Sequence, residues 1–243
     1  MAKLKIYGVP ISRAIRTIWT ALELGIDYEI VPIGWDDNSI YSDAYRRINP
    51  NARVPAIEDD GFVLWESLAI TLYLVRKHGG DIAARDLPEE ALAWQWTLWA
   101  ATQLETPLIR WAMHGFILDP AERDADVAAT AMAQVRPLLA VLDEVLGQRE
   151  FLAADRFTVA DLNVGAVLLR PRHGLDLAPW PNLRRWDRAV FTRPAARRAW
   201  EIRVAAAGGY TMKRLRGGCP GALALTSVRV YRTGLFTRPR APR

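Results

Sequence analysis

Tyr7-Gly-Val-Pro-Ile-Ser12-Arg13 decides how the amino-terminal part of this chain folds. Ahead of it, residues 3–7 read as a short strand. Behind it, residues 13–24 place Ile15, Ile18, Trp19 and Leu22 on one face of an amphipathic helix that Gly25 stops. The heptapeptide is therefore a strand-to-helix turn with a hydroxyl at the mouth of the helix. Backbone donors and the positive end of the helix dipole favour an anion at such a place. An incoming thiol, with an ordinary pKa of about 8.5, would be held there as thiolate by the Ser12 hydroxyl and that field. Serine is equally at home there as a plain helix cap, and the residues alone leave both uses open.

Working outward, Tyr28 to Ile33 is a second strand and 36–48 is polar and weakly helical. Val54 to Glu58 and Phe62 to Leu64 flank the turn Asp59-Asp60-Gly61 as a hairpin. A helix faced by Leu68, Leu72 and Val75 then runs from Glu66 to about His78, where Gly79-Gly80 ends it. The order β-α-β-α-β-β-α within residues 1–80 describes a compact α/β unit with helices on a mixed sheet. After Pro88 the texture becomes long helical periodicity, so 81–88 reads as a linker, 89–203 as an all-helical domain and 204–243 as a basic, disordered tail. One helix is expected over 89–114 and the next over Val127 to Val145, bent at Pro107 and Pro137. Thr158-Val-Ala-Asp161 has the spacing of a capping box opening a buried helix.

Two further segments carry polar groups suited to a ligand. In Asn49-Pro50-Asn51-Ala52-Arg53-Val54-Pro55-Ala56-Ile57 a proline opens a strand after a polar turn. A cis Val54-Pro55 bond would turn the Val54 N–H and C=O outward to pair with an extended peptide; an ordinary trans proline at a strand edge fits the same letters. In Trp65-Glu66-Ser67 free amides and the Ser67 hydroxyl suit a carboxylate while Glu66 suits an ammonium, which together describe a site for an amino-acid head group. A capping pair without a ligand is the structural alternative.

Taken in this order, Y-G-V-P-I-S-R, N-P-N-A-R-V-P-A-I, W-E-S-L-A-I-T-L-Y-L and F-T-V-A-D-L-N-V resemble the cytosolic glutathione transferase family over residues 3–203, in its bacterial, serine-type form. The resemblance implies a thioredoxin-like domain followed by a helical bundle, assembled as a homodimer, with glutathione as co-substrate and no metal. It implies that Ser12 hydrogen-bonds the glutathione sulfur, with Tyr7 as a rival because tyrosine-type classes use a tyrosine in the first strand. It also implies that Val54, beside Pro55, clamps the cysteinyl unit and that Glu66 and Ser67 anchor the γ-glutamyl group. Arg53 or a side chain between Asp36 and Ser39 would reach the glycine carboxylate, and Gln103 or Glu105 would act across the dimer. Trp111, His114 and Phe116 are candidates for the pocket of a small hydrophobic electrophile, whereas Trp94, Trp96 and Trp99 read as packing. The alternative is a non-catalytic interaction module on the same fold, which would have no need of Ser12, Glu66 and Ser67 together.

Composition narrows the classes further. No apolar run approaches the roughly 18 residues of a membrane span, and the start lacks a signal peptide's core, so a cytoplasmic protein is expected. The single Cys219 permits no internal disulfide and no cysteine cluster, and disfavours a mixed-disulfide mechanism with a protein thiol, which leaves addition or substitution by bound thiolate on a small electrophile, or reduction of a peroxide by it. His78, His114 and His173 lack companions at ligand spacing, which gives metal binding little support. The net charge of +5 is a property of the tail: eight of the 32 bases and none of the 27 acids lie in 204–243. An RNA- or surface-binding arm is conceivable there, but a nucleic-acid partner finds no support in the body of the chain. Within the tail, Leu223 to Tyr231 alternates enough to form a strand if a partner existed.

Overall fold

A computed structural model describes residues 3–35, 37–207 and 229–231. β1 (Leu4–Tyr7) leads through α1 (Ala14–Leu24) to β2 (Tyr28–Val31), and β1 and β2 pair in parallel from Leu4↔Tyr28 to Tyr7↔Val31. A short α2 (Asp43–Arg46) precedes the hairpin of β3 (Ala56–Asp59) and β4 (Phe62–Trp65), and α3 (Ser67–His78) follows. β3 runs antiparallel to β1, so the sheet order is β4-β3-β1-β2, extended at its far edge by β5 (Arg229–Tyr231) antiparallel to β2. The expected β-α-β-α-β-β-α order is thus present.

Inward residues of the sheet and helices make one apolar interior: Ile6 and Ile57 from the strands, Ile18 and Trp19 from α1, and Ile70 and Leu74 from α3 are all fully buried. α1 ends at Gly25 in the left-handed conformation (φ 65°), whose N–H caps the Ala21 and Leu22 carbonyls. Gly8 has φ 142°, and a Cβ there would stand 3.0 Å from the Ala14 Cβ and 3.2 Å from the Val54 Cβ. Glycine is what lets the first turn lie directly against the proline loop.

Residues 79–86 lead to α4 (Leu87–Trp99), whose cap Asp86 accepts from the Glu89 amide. The single helix expected over 89–114 is instead two segments. A π turn over 100–104 separates α4 from α5 (Glu105–Ala112), and a second π turn over 113–117 ends the stretch. The first widening coincides with residue 103, the carbonyl that would meet the Pro107 ring and find no N–H there. α6 (Ala125–Gln148) carries Pro137 inside it and packs on α5 and α8 through the stripe Ala131, Val135, Leu139, Leu142 and Leu146. By length and composition alone α6 is apolar enough to cross a membrane, although it contains no uninterrupted apolar run. Asp126, Arg136 and the adjacent Asp143 and Glu144 interrupt it.

α7 (Val159–Leu168) is buried along its whole length. It opens with the expected capping box, the Thr158 N–H donating to Asp161 Oδ2 at 2.9 Å. Asp161 also accepts from Trp186 Nε1 (2.8 Å) and the Leu152 amide (2.9 Å), so this one carboxylate ties together α7, the loop before it and α8 (Pro181–Phe191). Asn163, two residues on, accepts from Thr71 of α3 (2.7 Å) and donates to Thr97 of α4 (2.8 Å), pinning the sheet-bearing part to the helices.

α9 (Pro194–Ala207) continues beyond the expected boundary at 203, so residues 204–207 are helical. Arg229–Tyr231, also assigned to the disordered tail, forms β5; this agrees with the last residues of the alternating stretch and finds its partner in β2. The rest of the tail, with Cys219, lies outside the described residues.

Candidate active site

Two adjoining cavities open beside the turn before α1. The larger, about 620 Å³, lies between the proline loop and the start of α3 and is lined by Arg53, Val54, Pro55, Glu66 and Ser67. The smaller, about 210 Å³, lies between that turn and the ends of α7 and α9, with Ser12, Ile11, Ile109 and Leu169 in its wall. Arg13, Arg16, Trp35, Val54 and Glu105 belong to both. A ligand held in the larger cavity therefore adjoins the smaller one, whose wall carries Ser12.

Ser12 is not itself the residue flanking α1; Arg13 holds that place. Its hydroxyl nevertheless acts as a cap, accepting from the Ala14 amide at 3.0 Å while donating to the Val9 carbonyl at 2.6 Å. A sulfur anion arriving here would take the hydroxyl hydrogen over from that carbonyl, keeping the amide bond intact. From behind, Arg203 Nη1 donates to the carbonyls of Pro10 (3.1 Å) and Ser12 (3.4 Å), so α9 holds the turn in place.

Tyr7 is placed differently. Its hydroxyl donates to Glu58 Oε2 at 3.1 Å, and it lines neither cavity. Burial first, then Glu58, pushes its pKa up to about 12. Lys5 and Tyr7 together hold the Glu58 carboxyl below its ordinary range.

The Val54-Pro55 bond is cis, the alternative suited to pairing with an extended peptide. Two donors, Tyr45 Oη (2.6 Å) and Asn49 Nδ2 (2.7 Å), converge on the Arg53 carbonyl and fix the loop that presents Val54. Across the cavity Glu66 has φ 75° and ψ 108°, a conformation costly for a side-chain-bearing residue and concentrated at binding sites. Ser67 is buried, and Arg16 Nη1 donates to its Oγ at 3.1 Å, which leaves the hydroxyl hydrogen for a carboxylate.

Arg16 is in turn gripped by Glu105, through Nη2–Oε1 at 2.7 Å and Nη1–Oε2 at 3.2 Å, while Arg13 Nε reaches Oε1 at 2.5 Å. Burial works against the charge on Arg16, and Glu105 offsets part of that cost. Burial alone would raise the Glu105 carboxyl, but Arg16 and Arg13 outweigh it and hold it below its ordinary value. Glu105 thus has its partners within its own chain.

The remaining expectations separate. Gln103 is exposed and lines neither cavity. Trp111 and Phe116 pack edge to face with centroids 5.5 Å apart, and His114 Nδ1 accepts from the Asp124 amide; none of the three lines a cavity at Ser12. Asp36 lies outside the described residues, and the Asp37 side chain is used on the Ser39 amide. The sequence reading missed Arg16, Trp35, Ile109, Arg170 and Arg203. Each is unremarkable in its local sequence and arrives at the site only through packing of separate elements.

A small mixed sheet with a cis-proline loop facing the mouth of a helix, joined to an all-helical part, is a thioredoxin-like domain carrying a helical partner. Residues 2–76 match the family described as "Glutathione S-transferase, N-terminal domain", and residues 105–194 match "Glutathione S-transferase, C-terminal domain". The chain is 31% identical over 206 residues to glutathione S-transferase 3 of Zea mays, covering 80% of this chain and 92% of that one. Glutathione S-transferase GstB of Escherichia coli is 30% identical over 194 residues, 78% and 93% of the respective chains. Among solved structures, the theta class glutathione S-transferase of Xanthomonas axonopodis pv. citri with glutathione bound superposes with a TM-score of 0.76 at 29% identity, over 82% of this chain and 97% of that one. The chain belongs to the glutathione S-transferase family.

Proposed function

We propose that this protein binds glutathione in the larger cavity, holds its sulfur as thiolate at Ser12, and transfers it to a small hydrophobic electrophile in the smaller one. Residues 1–80 serve as the glutathione-binding domain and 89–203 as the helical domain that completes the second pocket. The observation that carries this reading is the wall that the two cavities share, formed by Arg13, Arg16, Trp35, Val54 and Glu105, with the Ser12 hydroxyl in the wall of the smaller one. In the polar cavity Glu66 takes the ammonium and Ser67 the carboxylate of the γ-glutamyl head, Val54 pairs with the cysteinyl backbone, and Arg53 attends the glycine carboxylate. The thiol proton leaves to solvent on binding. The thiolate then forms the new carbon–sulfur bond while the leaving group departs with its electron pair.

Ser12 is preferred to Tyr7 because the tyrosine hydroxyl is engaged by Glu58 and stands apart from both cavities. The protein acts as a homodimer in the cytoplasm. Support for the dimer comes from Phe62, Trp65, Trp94 and Leu98, large apolar side chains left 39–63% exposed on β4 and α4. The test is retention on immobilised glutathione followed by conjugation of a chlorodinitrobenzene. Ser12→Ala should lower kcat/KM about 100-fold or more, as loss of an anion-stabilising donor does. Tyr7→Phe should stay within about threefold of the parent, a change under 1 kcal/mol in the barrier. The reverse pattern would reassign the activating hydroxyl, and retention without turnover would leave a binding module.

A further inference from the structure

The ionisable residues in the wall of the smaller cavity do not balance. Among the described residues four guanidiniums line it, those of Arg13, Arg16, Arg170 and Arg203, against the single carboxylate of Glu105. Glu105 is already shared between Arg13 and Arg16. Arg203 is 8% exposed and spends Nη1 on two backbone carbonyls, bonds that bring no negative charge. Arg170, partly buried just past the end of α7, makes no hydrogen bond or ion pair among the described residues. Burial first, then the charges of Arg170 and Arg16, pull the Arg203 pKa down to about 10, so these cations in one pocket wall repel one another. The end of α7 offers Arg170 a favourable dipole, but that effect is worth only about 0.3–1 kcal/mol. Buried charges are ordinarily paired, and two neighbouring guanidiniums with no acid of their own among the described residues call for an anion from outside.

The sulfur of glutathione supplies one negative charge at Ser12, and its carboxylates have their places in the other cavity. We infer that the pocket formed by Arg170 and Arg203 takes an acidic group, a carboxylate or sulfonate, on the second substrate. The inference rests on the transferase reading and narrows it to electrophiles with an apolar body and an anionic end. Ile11, Ile109 and Leu169 supply the apolar wall. Size agrees: a dry cavity of about 150 Å³ accommodates one benzene, and this one is about 210 Å³.

The experiment compares a chlorodinitrobenzoate with the corresponding neutral chlorodinitrobenzene, each rate normalised to the uncatalysed reaction with glutathione. In both, thiolate displaces chloride from the ring, which leaves with the bonding pair, so the two substrates differ only in the carboxylate. The parent protein should favour the acid in kcat/KM. Arg170→Met should lower the acid-to-neutral ratio about 10- to 100-fold, the worth of a charge-assisted hydrogen bond, and Arg170→Lys should restore part of it. A ratio unaltered by Arg170→Met, or equal losses on both substrates, overturns the inference alone and in the second case moves Arg170 to the thiolate. Failure of the parent to turn over either halide overturns the transferase reading and this inference with it.

Discussion

Glu105→Gln tests the buried ion pair that joins the two halves of the site. Arg16 is 5% and Glu105 8% exposed, and the carboxylate is the only acid that accepts from Arg16 among the described residues. Removing its charge leaves a guanidinium in the interior without compensation, which costs about 3–5 kcal/mol. For a chain of this size each kcal/mol lowers the melting temperature by roughly 2–4 °C, so a fall of about 6–20 °C is expected in calorimetry. Because Arg16 Nη1 also orients Ser67, the KM for glutathione should rise, by about tenfold if 1.4 kcal/mol of head-group binding is lost. Replacing both partners, Arg16→Met with Glu105→Met, should recover much of the melting temperature and none of the glutathione affinity. The pH dependence has a definite sign. The Glu105 carboxyl is depressed in the folded chain relative to an ordinary 4.5, so the unfolded chain takes up this proton first as pH falls. Its contribution is complete above about pH 4.5 and is lost as pH drops through the folded value, a component absent from Glu105→Gln. A single variant melting within about 2 °C of the parent, with an unchanged acid limb, would refute the reasoning.

Asp161→Ala should be among the most damaging changes in the chain, because it strands the buried donors of Trp186, Leu152 and Thr158 at about 3–5 kcal/mol; thermal melting should fall by at least about 6 °C, and a loss under 2 °C would contradict this. Gly8→Ala should cost about 1–3 kcal/mol in chemical denaturation and raise the KM for glutathione, since its Cβ would press on Ala14 and Val54 from a backbone conformation few side chains tolerate. Unchanged stability and KM would mean that the turn and the proline loop yield without consequence.

The fold was legible because its signals are local. Strand alternation, the apolar face of α1 ending at Gly25, the Asp60-Gly61 hairpin and the Thr158–Asp161 box each need only a few neighbouring residues, and each stands where the periodicity puts it. The helical interruption at 100–104 was legible only as a bend at Pro107, since periodicity does not say how a helix absorbs a missing N–H. The polar cavity was readable to the same degree as the fold, because Val54, Glu66 and Ser67 sit in contiguous segments whose turn chemistry shows in the letters.

The second pocket was not readable. Its walls come from the turn before α1, from α5, from the end of α7 and from α9; the bond from Arg203 to Ser12 alone joins residues 191 positions apart. Trp111 and Phe116 looked eligible by position, yet they turn onto each other while Ile109 and Arg170 line the space. The sequence alone determined a hydroxyl at the opening of the first helix, a proline loop opposite it, and a helical partner behind. Only the tertiary structure decided that Glu105 closes on its own chain's Arg16, and that the guanidiniums of Arg170 and Arg203 share one pocket with no acid paired to either among the described residues. Charge balance is a property of neighbours in space, and packing chooses those neighbours.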